Sequence, residues 1–315
     1  SDVCSSDLAS TPLNARFFTR AQGDVRRITS ELGNLQAQIA STKKADTLQG
    51  FGSASSRILS ASSMRANTDA RASVLNQLEA RFGVQAAALG QVSNASQDLA
   101  LSIREAVSAN DGRGVSTELD LAFNSIVSAL NETWNGQPLF AGERQNGRPI
   151  KVDTLDELMA TSSSSEIFDE AARHQVVDVG AGAPIVVSAK ASEMSQGLFD
   201  ALKQLKTLLN GSGGTIGQPI TPAAQDTLQY IAGLLDSEAT RFTTEEGRAG
   251  QIQKRFEGEL TNLQTRSDLL TKEIGDEADA DIGEVSMKLS TLLAQYQAAA
   301  KTFSELSKLS LLDYL

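Results

Sequence analysis

The stretch VSMKLSTLLAQYQAAAKTFSEL, residues 285–306, sets Val285, Leu289, Leu292, Tyr296, Ala299, Phe303 and Leu306 at alternating steps of four and three. That rhythm is the seam of a helix lying along another helix. Near the other end Phe18, Ala21, Val25, Ile28, Leu32, Leu35 and Ile39 repeat it over about three heptads. Apolar helical stripes usually form the core of a monomeric bundle. Strict seams near both ends fit better if the two terminal helices pair with each other and with other copies of the chain. The leucines that follow, among them Leu309 and Leu312, have no glycine cap after them and need a neighbour to cover them. The expected assembly interface is therefore Phe18, Val25, Ile28, Leu32, Leu35, Ile39, Val285, Leu289, Leu292, Tyr296, Phe303, Leu306, Leu309 and Leu312.

Inward from these seams, proline marks the organisation. The six prolines lie at position 12 or between 138 and 222, so the spans 13–137 and 223–315 are free to form long helices. Leu75, Leu78, Phe82, Leu89, Val92, Leu99, Ile103 and Ala106 continue a heptad pattern, with Gln85 and Ser96 as polar interruptions. Ala249, Ile252, Phe256, Leu260, Leu263, Leu270 and Ile274 form a further helical stripe, ordinary bundle core. Between 136 and 195 the β-branched runs in QPLFAGERQNGRPIKV and HQVVDVGAGAPIVVSA, punctuated by Gly, Pro and Asn, predict hairpins.

The predicted fold is mainly α, an elongated bundle of long heptad-patterned helices from both chain ends with a small β-containing middle insert. Five segments follow: 9–46, the N-terminal half of an assembly domain; 47–135, the N-terminal part of a helical rod; 136–195, a small outer domain; 196–275, the C-terminal part of the rod; and 276–315, the C-terminal half of the assembly domain.

Composition narrows the function. Aromatic residues make up only 5% of the chain, which suits thin helical packing. The net charge of -11, without any basic run, argues against nucleic acid as a partner. The single cysteine, Cys4, forms no internal disulfide, and no apolar run is long enough to cross a bilayer. The opening SDVCSSDL lacks Met, a signal-peptide pattern and any helical period; it reads as a truncation or an added scar and is set aside.

Chemistry has few candidates. His174, the single histidine, reads as a surface or packing residue rather than a catalytic or metal-binding one. GSGGTIG at 211–217 lacks the Lys-Ser/Thr of a phosphate loop and follows a helix, so it reads as a linker. DVGAGAP at 178–184 leads into a β run instead of a helix. GDEADADIGE at 275–284 fails the order of a calcium loop; Asp281 with Glu284 reads as a capping-box-like helix start. No catalytic residue, cofactor or metal is predicted.

AQIASTKKADT (37–47), NGQPLFAGERQNGRPI (135–150), IGDEADADIGEVSMKLS (274–290) and LSKLSLLDYL (306–315) together resemble the bacterial flagellin family. Leu139–Gly142 and the SLLDYL ending are most similar to the hook-associated subunits of that family, which join hook to filament. The start of the chain and STKKADT depart from the family pattern. The resemblance implies paired terminal helices that order on assembly, rod helices beside them and an insert facing outward. It also implies a structural, extracellular, motility role, with export through the flagellar type III apparatus. Implied partners are copies of the chain, an adjacent hook-associated protein, flagellin and an export chaperone, with no membrane or nucleic acid. Filament flagellin itself and a soluble coiled-coil adaptor or carboxylate-dependent enzyme remain competing readings.

Overall fold

The computed structural model describes residues 11–177 and 184–312, with side chains throughout except at 11–18, 303 and 306–312. Seven α-helices account for most of the described residues: α1 (Thr11–Ser41), α2 (Ser55–Ala109), α3 (Val115–Leu130), α4 (Leu155–Ala160), α5 (Ala191–Gly211), α6 (Pro222–Ala278) and α7 (Ile282–Leu312). The two proline-free spans hold the four longest helices, α1, α2, α6 and α7, with Pro12 and Pro222 confined to the first turns of α1 and α6. Two compact units result: one made of residues up to Thr68 and from Thr265 onward, the other of Asp69–Gln264.

Within the first unit α1 packs along α7. α1 stops where Thr42 turns into the left-handed region at φ 57°. α7 starts on Asp281, whose carboxylate accepts the Glu284 N–H at 3.0 Å. The turn between α6 and α7 is shorter than the sequence indicates, because GDEA of 275–278 stays helical. The Lys44 ammonium donates to the carbonyls of Asp276 at 2.9 Å and Glu277 at 3.0 Å, satisfying acceptors that the last turn of α6 leaves open. The region before Leu75 is also helical, with Ile58, Ala61 and Thr68 buried at heptad-like spacing. Its small and polar residues hide that period in the sequence.

The second unit holds the main core. Phe123, Phe140, Phe199, Leu119, Ile126 and Leu202 are buried to 0 or 1% exposure. Phe199 of α5 meets two rings at steep angles, Phe123 at 6.2 Å and Phe168 at 5.9 Å between centroids. A second cluster joins α2 to α6 through Leu75, Leu78, Phe82, Phe256 and Leu263, with Phe82 and Phe256 edge to face at 5.7 Å.

At the segment 136–195 two hairpins form, each a ladder of two residues per strand. The second lies in the expected run, whereas the first begins before 136 and the run 139–152 adds only isolated bridges from Ala141 to Lys190 and from Ile150 to Phe168. β1 (Thr133–Trp134) pairs antiparallel with β2 (Gln137–Pro138). Asn135 and Gly136 carry φ of 50° and 77°, the positive pair that a tight hairpin turn needs. β3 (Val176–Val177) pairs with β4 (Ile185–Val186). Between the hairpins the segment also builds α4, started by Thr154, whose hydroxyl accepts the Glu157 N–H at 3.2 Å. Leu139, Phe140 and Ala141 have no exposure, and Leu139 and Phe140 share one core with α3, α5 and α6. Gly142, at φ 66°, closes this run: a Cβ there would sit 2.5 Å from the Arg173 carbonyl oxygen.

Candidate assembly seam

The predicted seam residues of α1 whose side chains are described all turn away from solvent. Ile28 and Leu32 are buried at 8 and 9% exposure, and Val25, Leu35 and Ile39 are half-buried, while the positions between them are mostly exposed. On α7, Val285 is buried at 7%, and Leu289, Leu292, Tyr296 and Ala299 are half-buried. The side chains of Phe18, Phe303, Leu306, Leu309 and Leu312 lie outside the described residues, as does Cys4. The heptad steps thus locate the contact between the two helices.

The outer face of α7 is unusual. From Leu289 to Ala300 the sequence holds no charged residue, and Ser290, Thr291, Leu293, Ala294, Gln295, Gln297, Ala298 and Ala300 are all exposed. Met287, one turn earlier, is 68% exposed. Residues 32–42, at the C-terminal end of α1, are likewise uncharged. Most solvent-facing helical surfaces carry charge, whereas the centres of protein interfaces are depleted of it. Charge elsewhere accentuates the contrast: residues 69–264 hold 15 Lys and Arg against 25 Asp and Glu, nearly all of the chain's net charge of -11.

Where α1 ends and α7 begins, the chain is fastened by a short antiparallel clasp. Lys43 bridges to Asp279, the Lys44 N–H donates to the Ala278 carbonyl at 2.8 Å, and the Ala280 N–H donates to that of Thr42 at 3.0 Å. The Lys43 ammonium pairs with the Asp279 carboxylate, and Arg57 with Glu277 at 2.8 Å. Sequence reasoning did not single out these residues; Lys43 and Asp279 are 236 positions apart and neither belongs to a periodic pattern.

The residues weighed for chemistry have structural partners. His174 Nδ1 lies 3.2 Å from the Ser188 carbonyl and its Nε2 lies 3.2 Å from Glu193, tying the second hairpin to α5. A hydrogen bond from Lys190, and secondarily the charge of His174, holds the Glu193 carboxyl below its ordinary range. The glycines of GSGGTIG cap α5: Gly214, at φ 96°, donates to the Leu209 carbonyl at 2.8 Å. DVGAGA of 178–183 lies outside the described residues. Among the described residues no group of three or more His, Cys, Asp or Glu is placed to hold a metal, and no helix is long and apolar enough to cross a membrane.

Residues 232–315, which contain most of α6 and all of α7, match the bacterial flagellin C-terminal helical region. No curated protein matches the chain by sequence. Among solved structures, a protein described as a flagellar hook-associated protein from Vibrio parahaemolyticus superposes with a TM-score of 0.55 at 18% identity, covering 71% of this chain and 97% of its own. FlgL of Bacillus cereus superposes at 0.50 with 11% identity, covering 64% of this chain and 98% of its own. Flagellin and hook-associated proteins are structural families rather than enzymes. In its C-terminal helical region the chain is similar to the flagellin family, and its fold is that of the hook-associated proteins on which it superposes.

Proposed function

We propose that the chain is a structural subunit of the bacterial flagellum that joins hook to filament. Its α1–α7 pair assembles against copies of itself and against the adjacent hook-associated protein and flagellin. The observation that carries this reading is the charge-free outer face of α7 from Leu289 to Ala300. A two-helix pair buries one stripe per helix, and an uncharged second face is what a helix surrounded by further helices presents. In this reading 9–46 and 276–315 are the two halves of the assembly domain. Segments 47–135 and 196–275 form the rod, and 136–195 faces outward. The seam set from Phe18 to Ile39 and from Val285 to Leu312 contributes the contacts, with Ala, Ser and Gln of the outer face packing against neighbours.

The subunit would act outside the cell, reaching the flagellum through the type III export apparatus with the help of a chaperone, and would need neither cofactor nor catalytic residue. Electron microscopy of cells lacking it tests the junction role. The expected result is intact hooks with filaments shed into the medium; filaments firmly attached to hooks would contradict it. Filament flagellin is the second reading, favoured by the match of residues 232–315 to the flagellin C-terminal region. Copy number in sheared flagella separates the two, since a junction subunit is present in few copies and a filament subunit in bulk.

A further inference from the structure

We propose that the clasp between residues 42–44 and 276–280 sets the register in which α1 and α7 pair. The two seams are degenerate in register. Outward from the clasp, Ile39, Leu35, Leu32, Ile28 and Val25 are spaced by four, three, four and three, and Val285, Leu289, Leu292, Tyr296 and Ala299 are spaced identically. α1 ends beside the start of α7 and packs along it, so the two run antiparallel. Equal steps then bring Ile39 level with Val285, Leu35 with Leu289, Leu32 with Leu292, Ile28 with Tyr296 and Val25 with Ala299. A heptad pattern repeats itself, however. Sliding one helix by seven residues again places apolar residues opposite apolar residues, with Leu32 beside Ala299 or beside Val285. Apolar matching alone does not choose among these registers.

The clasp has no such period. The hydrogen bonds from Lys44 to Ala278 and from Ala280 to Thr42 form in one alignment only. So do the Lys43–Asp279 pair and the caps from the Lys44 ammonium to the Asp276 and Glu277 carbonyls. Gln38, in the last turn of α1, fastens the same strand by donating to the Lys44 carbonyl at 3.1 Å. Thr42 is held at φ 57°, so the strand leaves the helix at a fixed angle. Directional, non-repeating contacts at one end of a repeating seam make the slipped pairings less stable than the aligned one. The inference concerns pairing within one chain and stands apart from any role in the flagellum.

Cysteine crosslinking of the purified full-length chain, in dilute solution and with Cys4→Ser so that the introduced pair is unique, reads the register. Leu32→Cys with Leu292→Cys reports the assigned alignment. Leu32→Cys with Ala299→Cys, and Leu32→Cys with Val285→Cys, report slips of one heptad in either direction. With the clasp intact, only the first pair is expected to form an intramolecular disulfide. Adding Lys43→Glu together with Ala280→Pro, which sets like charges opposite each other and removes one N–H donor, is expected to raise the slipped products about tenfold. In a separate chain, Lys43→Glu with Asp279→Lys restores opposite charges and is expected to give only the first product. Slipped products that stay at the unmodified level in the Lys43→Glu, Ala280→Pro chain would overturn the proposal. So would loss of all three crosslinks, which would mean that the clasp holds the helices together rather than in register.

Discussion

The two units of the molecule bury apolar surface to different depths. In Asp69–Gln264 whole side chains such as Phe140, Phe199, Ile103 and Leu228 have no solvent exposure, whereas in the unit that contains α1 and α7 no described residue falls below 4%. The larger unit surrounds its Phe and Leu residues with several layers of secondary structure. The smaller one relies largely on helix pairs, and a helix pair leaves every seam residue touching water on one side. Charge is divided in the same sense, with the deeply packed unit strongly acidic and the thinly packed one close to neutral. Neutrality and residual exposure together are what a surface meant to be covered by further helices requires, while the acidic unit is suited to remain in solvent.

The largest effect that sharpens this contrast is expected in the deep core. Phe199→Ala removes the ring at the centre of two edge-to-face contacts and should lower stability by about 3–5 kcal/mol. Trp134, the single tryptophan, lies in the same unit, so denaturant unfolding followed by its fluorescence reads the loss directly. Leu32→Ala, the same kind of change in the seam, should cost about 2 kcal/mol, because a two-helix contact relaxes more readily around the gap. It should leave the Trp134 transition in place and speed amide exchange in 285–299. A shift of the Trp134 midpoint as large as that of Phe199→Ala would break the comparison.

Gly142→Ala should cost more than about 1 kcal/mol, again in the Trp134 transition, since the left-handed φ and the Arg173 carbonyl both reject a Cβ. The smallest effect concerns acid. Between α2 and α3, hydrogen bonds from the Arg113 side chain and backbone hold the Asp111 carboxyl at about 2. A depressed carboxyl adds stability that is present above its unfolded pKa of about 3.9 and is lost as pH falls through the folded value. Asp111 should therefore titrate near 2 by NMR, and Arg113→Ala should return it to the ordinary carboxylate range and remove the small stabilisation that this exposed group contributes above that range, neutral pH included.

What the sequence discloses and what it withholds follow from the range of the interactions. The seams of α1, α2, α6 and α7 are legible because a helix repeats its own geometry, so Leu289 predicts Leu292 and Tyr296. Even Gln85 and Ser96, which interrupt the stripe in α2, are buried where the heptad places them. Residues 55–74 were not legible as a stripe, since Ala61 and Thr68 occupy its positions with small side chains. The Asn135–Gly136 hairpin turn lies just before the run in which the sequence predicts a hairpin, and the burial of Leu139 and Phe140 depends on α3 and α5, far away in sequence. The clasp was invisible for the same reason: Lys43, Lys44, Asp276 and Asp279 look like any solvated charges until the ends of the chain are brought together. On the candidate seam itself, the described residues of α1 and α7 are turned away from solvent, which speaks to the pairing of these two helices within the chain. The charge-free outer face becomes meaningful only once burial shows which side of α7 is turned away from α1.

Hydrogen exchange, compared between the dilute monomer and the same protein in assembled flagella, tests the central claim most directly. Amides of 19–41 and 282–305 should exchange faster in the monomer than those of 89–103 and 228–242, and should become protected on assembly while the latter pair of segments stays unchanged. Equal protection of all four segments in the monomer, or no gain in the α1 and α7 segments on assembly, would contradict the account.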